Sequence, residues 1–169
     1  MQCPFLCPLL ALFTRHFLQA KDCFEEGKCH VQLGRHADAA TSFSMAMSHG
    51  HSLAVAHLSW LLLFGGIGLA KDYKRAIALA RSGQHCHHCQ GCLSCCYAEG
   101  WGVPKNSRRG LLLAKKSAGA GSVFGLYMMG WFHENGEGTT LANPPLALAF
   151  YKQAASLGLA AAQNNAGFM

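Results

Sequence analysis

The fold is decided by Tyr97–Gly121, which reads YAEGWGVPKNSRRGLLLAKKSAGAG. This order of residues predicts the end of one helix, a turn and the start of a second helix. Gly100 suits the left-handed residue that follows a helix, since glycine has no Cβ to make a positive φ costly. Pro104 prevents the first helix from continuing, and Asn106 is a favoured N-cap for the second. The stretch therefore predicts a helical hairpin.

The same pattern recurs before and after this hairpin. Asp72, Asn106 and Asn143 are predicted N-caps spaced 34 and 37 residues apart, and each stands four residues before a small residue. A Gly-x-Gly turn precedes each cap, and the helix closings KKSAGAG and KQAASLG correspond. Self-similarity at this period predicts stacked helix pairs, because one hairpin cannot bury its own apolar face. The small residues are Ala76, Gly110 and Ala147, the turn glycines are Gly66/Gly68, Gly100/Gly102 and Gly136/Gly138, and Gly158 closes the last complete copy.

The composition favours a packed helical protein. Of the 169 residues, 51% are apolar and 13% are charged, and β-branched residues are sparse. Apolar content this high excludes disorder over most of the chain. The formal net charge of +6 favours acidic partners weakly and is too small to indicate nucleic-acid binding.

The aligned pattern Y-x-x-G-x-G-V-x-x-[DN]-x-x-x-[AG], with its K-x-A-A-x-x-G-like closing, resembles the Sel-1-like repeat over residues 24–169. Tyr97 and Val103 complete the best copy. The resemblance implies an all-α fold, a right-handed α/α solenoid of antiparallel helix pairs related to tetratricopeptide repeats. We predict one helical-repeat domain over 14–169, with units at about 14–50, 51–86, 87–121 and 122–158, and with 159–169 starting a further repeat or forming a capping helix.

The resemblance also implies a function, which is protein–protein interaction as an adaptor or scaffold through a concave helical surface. The sequence has no P-loop, no G-x-S-x-G and no H-E-x-x-H, so we expect no catalysis and no cofactor. Cations lie in the first turns of two successive second helices, as Lys74-Arg75 and Arg108-Arg109. They are interpreted either as a solvated edge or as a dock for an acidic or extended segment of a partner protein.

A second chemistry is suggested by His85–Cys96, which reads HCHHCQGCLSCC. Its thiols and imidazoles are good ligands for soft metals, with His85, His88, Cys89 and Cys92 as the candidates. On a helix, however, Cys89, Cys92 and Cys96 fall at i, i+3 and i+7, which is the spacing of a buried stripe. Buried thiols are therefore favoured, and a metal site and a thiol-redox site remain the alternatives.

Two apolar stretches are relevant to the subcellular localisation of the protein. Residues 1–13 are predicted to be disordered or to act as a targeting segment, and a helix with Phe17 on its apolar face is predicted from residue 14. Leu53–Ala70 approaches the length that spans a bilayer, so a membrane-associated repeat protein is a further alternative. The crowding of the cysteines favours reduced thiols and hence the cytoplasm, whereas a signal in 1–13 would direct the chain to the secretory pathway.

Overall fold

The computed structural model describes residues 8–138 and 141–169, which form nine α-helices and no β-strand. Residues 1–7, which belong to the predicted N-terminal segment, lie outside the described residues. The helices are α1 (Pro8–Gln32), α2 (His36–Ser48), α3 (Ser52–Phe64), α4 (Tyr73–Ser82), α5 (His87–Glu99), α6 (Ser107–Gly119), α7 (Val123–Asn135), α8 (Pro144–Ser156) and α9 (Ala160–Phe168).

Helix α1 differs most from the sequence-based expectation. It begins at Pro8 rather than at residue 14, which proline permits because its missing N–H would be unsatisfied in a first helical turn anyway. It also continues through Gly27, where a Cβ would lie 2.6 Å from the Phe43 ring, so that glycine permits the close approach of α2. Phe17, predicted to face the core, is 66% exposed.

The chain divides into two compact units, Met1–Lys71 and Asp72–Met169. The boundary falls inside the predicted repeat unit 51–86, between α3 and α4. The first unit holds α1, α2 and α3, and the second holds α4 to α9.

In the first unit, α2 packs against both α1 and α3. The rings of Phe24 and Phe43 meet at a centroid distance of 5.5 Å, and both side chains are buried. Helix α3 is apolar but has only 13 residues, about 20 Å of helix, and Gly65 ends it. No helix in residues 8–138 or 141–169 is long and apolar enough to cross a membrane, including the one within Leu53–Ala70.

In the second unit, each helix packs against the next one along the chain, as expected for antiparallel hairpins with short loops. Helices α5 and α7 are buried along most of their length and contact each other, so they form the core layer. Each ends at a glycine in the left-handed region, Gly100 with φ 76° and Gly136 with φ 64°. The second helices α6 and α8 pack with only one face on this layer.

Candidate protein-interaction surface

The three predicted N-caps occupy equivalent positions at the starts of α4, α6 and α8. Asp72, Asn106 and Asn143 each accept a hydrogen bond from the backbone N–H three residues later, with N···O distances of 2.9, 3.0 and 3.1 Å. The donors in the first two copies are the backbones of Arg75 and Arg109. The caps therefore fix the two first turns that carry the predicted basic residues.

The loops between helices pack on those same first turns. A Cβ on Gly102 would lie 2.6 Å from Cδ1 of Ile77 in α4, so that loop closely approaches the helix. One copy later, a Cβ on Gly138 would lie 3.2 Å from Cδ2 of Leu111 in α6. Each loop thus covers the beginning of the second helix of the preceding hairpin, which ties neighbouring repeats together in the Asp72–Met169 unit.

We call the contact of the Gly102 loop with α4 the first loop junction and that of the Gly138 loop with α6 the second. Beside these glycines, the two junctions are stabilised by different kinds of interaction. At the first junction, the rings of Tyr73 and Trp101 stack with centroids 5.2 Å apart. At the second, Glu137 accepts a hydrogen bond from Lys105 Nζ at 2.8 Å and another from the Ser107 hydroxyl. These two hydrogen bonds lower the pKa of Glu137 below its ordinary value. Sequence reasoning missed both junctions, although Trp101 and Glu137 occupy the same position of the repeat.

The four predicted basic residues are all exposed. Neither α4 nor α6 has an acidic residue in its first turn, and none of the four cations forms a salt bridge in the described part of the chain. The Arg109 guanidinium lies over the Tyr97 ring at 4.4 Å from the centroid. Lys74, Arg75 and Arg108 have no such ring contact among the described residues.

The remaining signature residues have structural positions. Gly110 lies where α6 approaches α5, and the Ser94 hydroxyl donates to its carbonyl oxygen at 2.7 Å. Gly65, rather than Gly66, directly follows α3, and a backbone bridge joins Gly66 to Leu69. Ala76 and Ala147 are fully buried in α4 and α8, Val103 is half-buried in its loop, Gly68 has φ 72° in its turn, and Gly158 follows α8 with φ 88°.

The histidine- and cysteine-rich segment forms most of α5. Cys89, Cys92 and Cys96 are fully buried, as the predicted stripe requires. Burial raises the pKa of Cys89 and that of Cys96 to about 12, so in this structure both are protonated thiols at neutral pH. Within residues 8–138 and 141–169, no group of three or more His, Cys, Asp or Glu side chains is placed to hold a metal ion, and the candidates His85, His88, Cys89 and Cys92 do not converge.

Comparison of the sequence with known protein families finds a repeat family. A model described as the Sel1 repeat matches residues 52–83, 91–122 and 123–159, which together make up more than half of the chain. Residues 24–51, which the sequence pattern included in its resemblance, precede the first match. A comparison with curated proteins found no match.

Two solved structures have a similar fold. One is a protective antigen of uropathogenic Escherichia coli strains described as displaying an SLR fold, with 23% identity, a TM-score of 0.54 and coverage of 88% of this chain and 33% of that one. The other is a Sel1 repeat protein from Oxalobacter formigenes, with 24% identity, a TM-score of 0.59 and coverage of 80% and 56%. The chain thus spans a third of the first protein and just over half of the second. These similarities confirm the predicted class, an all-α α/α solenoid of antiparallel helix pairs.

Proposed function

The chain belongs to the Sel1 repeat family, and from that premise we propose that it is an adaptor or scaffold that binds other proteins and has no catalysis of its own. Repeats of this family typically serve as protein-interaction scaffolds, which supports the proposal. Stacked hairpins also expose one face of each second helix, and such a face offers a row of equivalent positions to an extended partner.

The observation that carries the proposal is the basic surface of Lys74, Arg75 and Arg108, which are exposed in the first turns of two successive second helices, α4 and α6. Cations in the first turn of a helix oppose the helix dipole and cost about 0.3–1 kcal/mol each. None of these three side chains forms a salt bridge with a carboxylate among the described residues. An acidic segment of a partner protein would offset this unfavourable interaction by pairing with the three positive charges. Arg109 has a local role as well, since it packs on Tyr97.

The test is a binding titration with a short fluorescein-labelled peptide of alternating Glu and Ser, followed by fluorescence anisotropy. The double variant Lys74→Glu/Arg108→Glu should weaken binding at least about tenfold, equivalent to ~1.4 kcal/mol. The matched control is Lys116→Glu/Lys152→Glu, which makes the same charge change on α6 and α8 at exposed sites away from the first turns. Binding should also weaken as salt rises, because exposed charges are screened.

Two outcomes would contradict the acidic-partner proposal: equal weakening by the test and control pairs, or equal binding of a Gln-Ser peptide. The adaptor role itself is tested separately, by affinity capture from the source cell with the wild type and the Lys74→Glu/Arg108→Glu variant side by side. Proteins that the wild type retains and the variant loses are the expected partners. If mass spectrometry finds no difference between the two captures, this basic surface is not the docking site.

A further inference from the structure

A pair of cysteines lies at the start of α5, in the order Cys86-His87-His88-Cys89. Cys86 is the N-cap residue of the helix and is partly exposed, whereas Cys89 lies in its first turn and is fully buried. We propose that these two cysteines are a reversible dithiol–disulfide pair that exchanges with low-molecular-weight disulfides of the glutathione type. This proposal is independent of the adaptor function, because it uses neither Lys74 nor Arg108.

The geometry permits the bond. Residues three apart in an α-helix have Cα atoms about 5 Å apart, which lies within the range of about 4.4–6.8 Å that a disulfide needs. The Cys86 side chain is close enough to contribute, after burial, to the raised pKa of Cys89. Closing the S–S bond brings the two Cβ atoms to about 3.5–4.5 Å, through side-chain rotation and a small adjustment of the first turn of α5.

The two sulfurs have different surroundings, which gives them different roles. Cys86 is the accessible one, and no side chain caps the first turn of α5, in contrast to the asparagine and aspartate caps of α4, α6 and α8. Burial raises the pKa of Cys89 to about 12, so this residue is protonated at neutral pH. Cys86 is thus placed to attack first, and Cys89 to resolve.

The other cysteines that the structure describes are less suited to exchange. Cys92, Cys95 and Cys96 are buried, and burial raises the pKa of the last two. Cys29 is exposed, but the nearest cysteine along α1 is Cys23, six residues away and on another face of the helix. Cys29 therefore provides a control within the same molecule, as an accessible thiol without a neighbour one turn away.

The chemistry proceeds in two exchanges. The Cys86 thiolate attacks one sulfur of glutathione disulfide, which forms a mixed disulfide and releases one glutathione thiolate. Cys89 then attacks the Cys86 sulfur as its proton passes to the departing glutathione thiolate, which forms the Cys86–Cys89 bond and releases the second glutathione. The protein is oxidised by two electrons, glutathione disulfide is reduced to two thiols, and reduced glutathione reverses both steps.

The experiment equilibrates the whole reduced chain with oxidised and reduced glutathione at neutral pH, followed by an acid quench, N-ethylmaleimide labelling and peptide mass mapping. The expected product is a Cys86–Cys89 disulfide without attached glutathione. At fixed oxidised glutathione, doubling reduced glutathione should lower the oxidised-to-reduced ratio of this pair about fourfold, because two thiols are released. A glutathione adduct on Cys29 should fall only about twofold under the same change.

Two variants separate the roles. Cys89→Ala should stop at a glutathione adduct on Cys86, and Cys86→Ser, which places a good N-cap at the helix start, should leave Cys89 unmodified. The proposal is overturned if Cys86 in the wild type accumulates a glutathione adduct with a twofold response. A disulfide from Cys86 to any cysteine other than Cys89 would overturn it as well.

Discussion

At the scale of single residues, the close packing of helices depends on whether there is room for a Cβ atom. Gly110 in α6 is the clearest case, because a Cβ there would lie 3.0 Å from the Ser94 carbonyl oxygen and 3.0 Å from Cζ of Phe132. The first neighbour is backbone of α5 and cannot move independently. In the same helix, a Cβ on Gly119 would meet nothing within 4 Å. Two glycines of one helix thus have opposite roles.

We predict that Gly110→Ala lowers the free energy of unfolding by about 1–3 kcal/mol, the usual cost of an extra methyl in a packed interior. Gly119→Ala is the matched control and should leave stability unchanged or raise it by up to about 1 kcal/mol, since alanine has the higher helix propensity. Urea unfolding followed by circular dichroism measures both. Equal effects of the two substitutions would show that α6 does not approach α5 as described.

The sequence pattern predicted that helices approach closely at Gly110, but it did not predict the exposure of Phe17. The repeat alignment compares like positions, so a small residue recurring at 76, 110 and 147 signals close approach without knowledge of the neighbours. Phe17 belongs to no repeated position, and its exposure follows from length. Helix α1 has 25 residues and its neighbour α2 has 13, or about 37 and 20 Å, so part of α1 extends beyond the helix that covers it.

At the scale of elements, the loop junctions show how one architecture tolerates different chemistry. The aromatic stack of Tyr73 and Trp101 and the polar cluster of Ser107 and Glu137 hold equivalent loops on equivalent helix starts. A search for a repeated pattern compares residues at equivalent positions and looks for similar ones. It therefore does not detect that Trp101 and Glu137, which are chemically different, have the same role. The helices and caps were accessible from sequence because their signals are local, whereas the junctions join residues about 30 positions apart.

The stability that the second loop junction contributes should depend on pH, because it contains the carboxylate of Glu137. The pKa of Glu137 is lowered by its hydrogen bonds to Lys105 and Ser107, so the folded state favours the carboxylate. Its contribution to stability is then fully present above the ordinary glutamate pKa, near 4.5, and is lost as the pH falls through the lowered value. We predict that Glu137→Gln costs about 0.5–1 kcal/mol at pH 7, the range of a good surface pair, and that the difference from wild type shrinks below pH 4.5.

The measurement is urea unfolding of both proteins between pH 3 and 7. Glu99→Gln serves as the control, since Glu99 is an exposed carboxylate at the end of α5. Its difference from wild type should be small throughout the range. A constant difference between Glu137→Gln and wild type at every pH would mean that the charge of Glu137 plays no part in the junction.

At the scale of the whole molecule, histidines connect stability to pH in both units. The formal charge is already +6 with histidine neutral, and ten histidines would add further positive charge on acidification. His51 in the first unit stacks on Phe24 at 4.0 Å, and His133 in the second stacks on Phe150 at 5.6 Å. Burial lowers the pKa of both imidazoles, and for His133 the nearby Lys115 lowers it further. Among the described contacts, Nδ1 of each ring has no hydrogen-bond partner.

Since the folded state favours neutral His51 and His133, the unfolded chain binds protons more readily near the ordinary histidine pKa of 6.5. Stability is therefore full above pH 6.5 and falls as the pH drops through the lowered values. We predict a lower urea midpoint at pH 5 than at pH 7. His133→Phe, which keeps an aromatic ring on Phe150 and removes the titration, should reduce this pH dependence.

The exposed His85 gives the control, because His85→Gln removes an imidazole without removing a stacked ring. It should leave the pH dependence nearly as in wild type. A measurement at high salt distinguishes charge repulsion from histidine desolvation as the cause of the stability loss. High salt screens the repulsion among surface charges, but it does not change the desolvation of an imidazole stacked on phenylalanine. If high salt abolished the whole loss between pH 7 and 5, general charge repulsion would account for the acid sensitivity, and the desolvation of His51 and His133 would contribute nothing measurable.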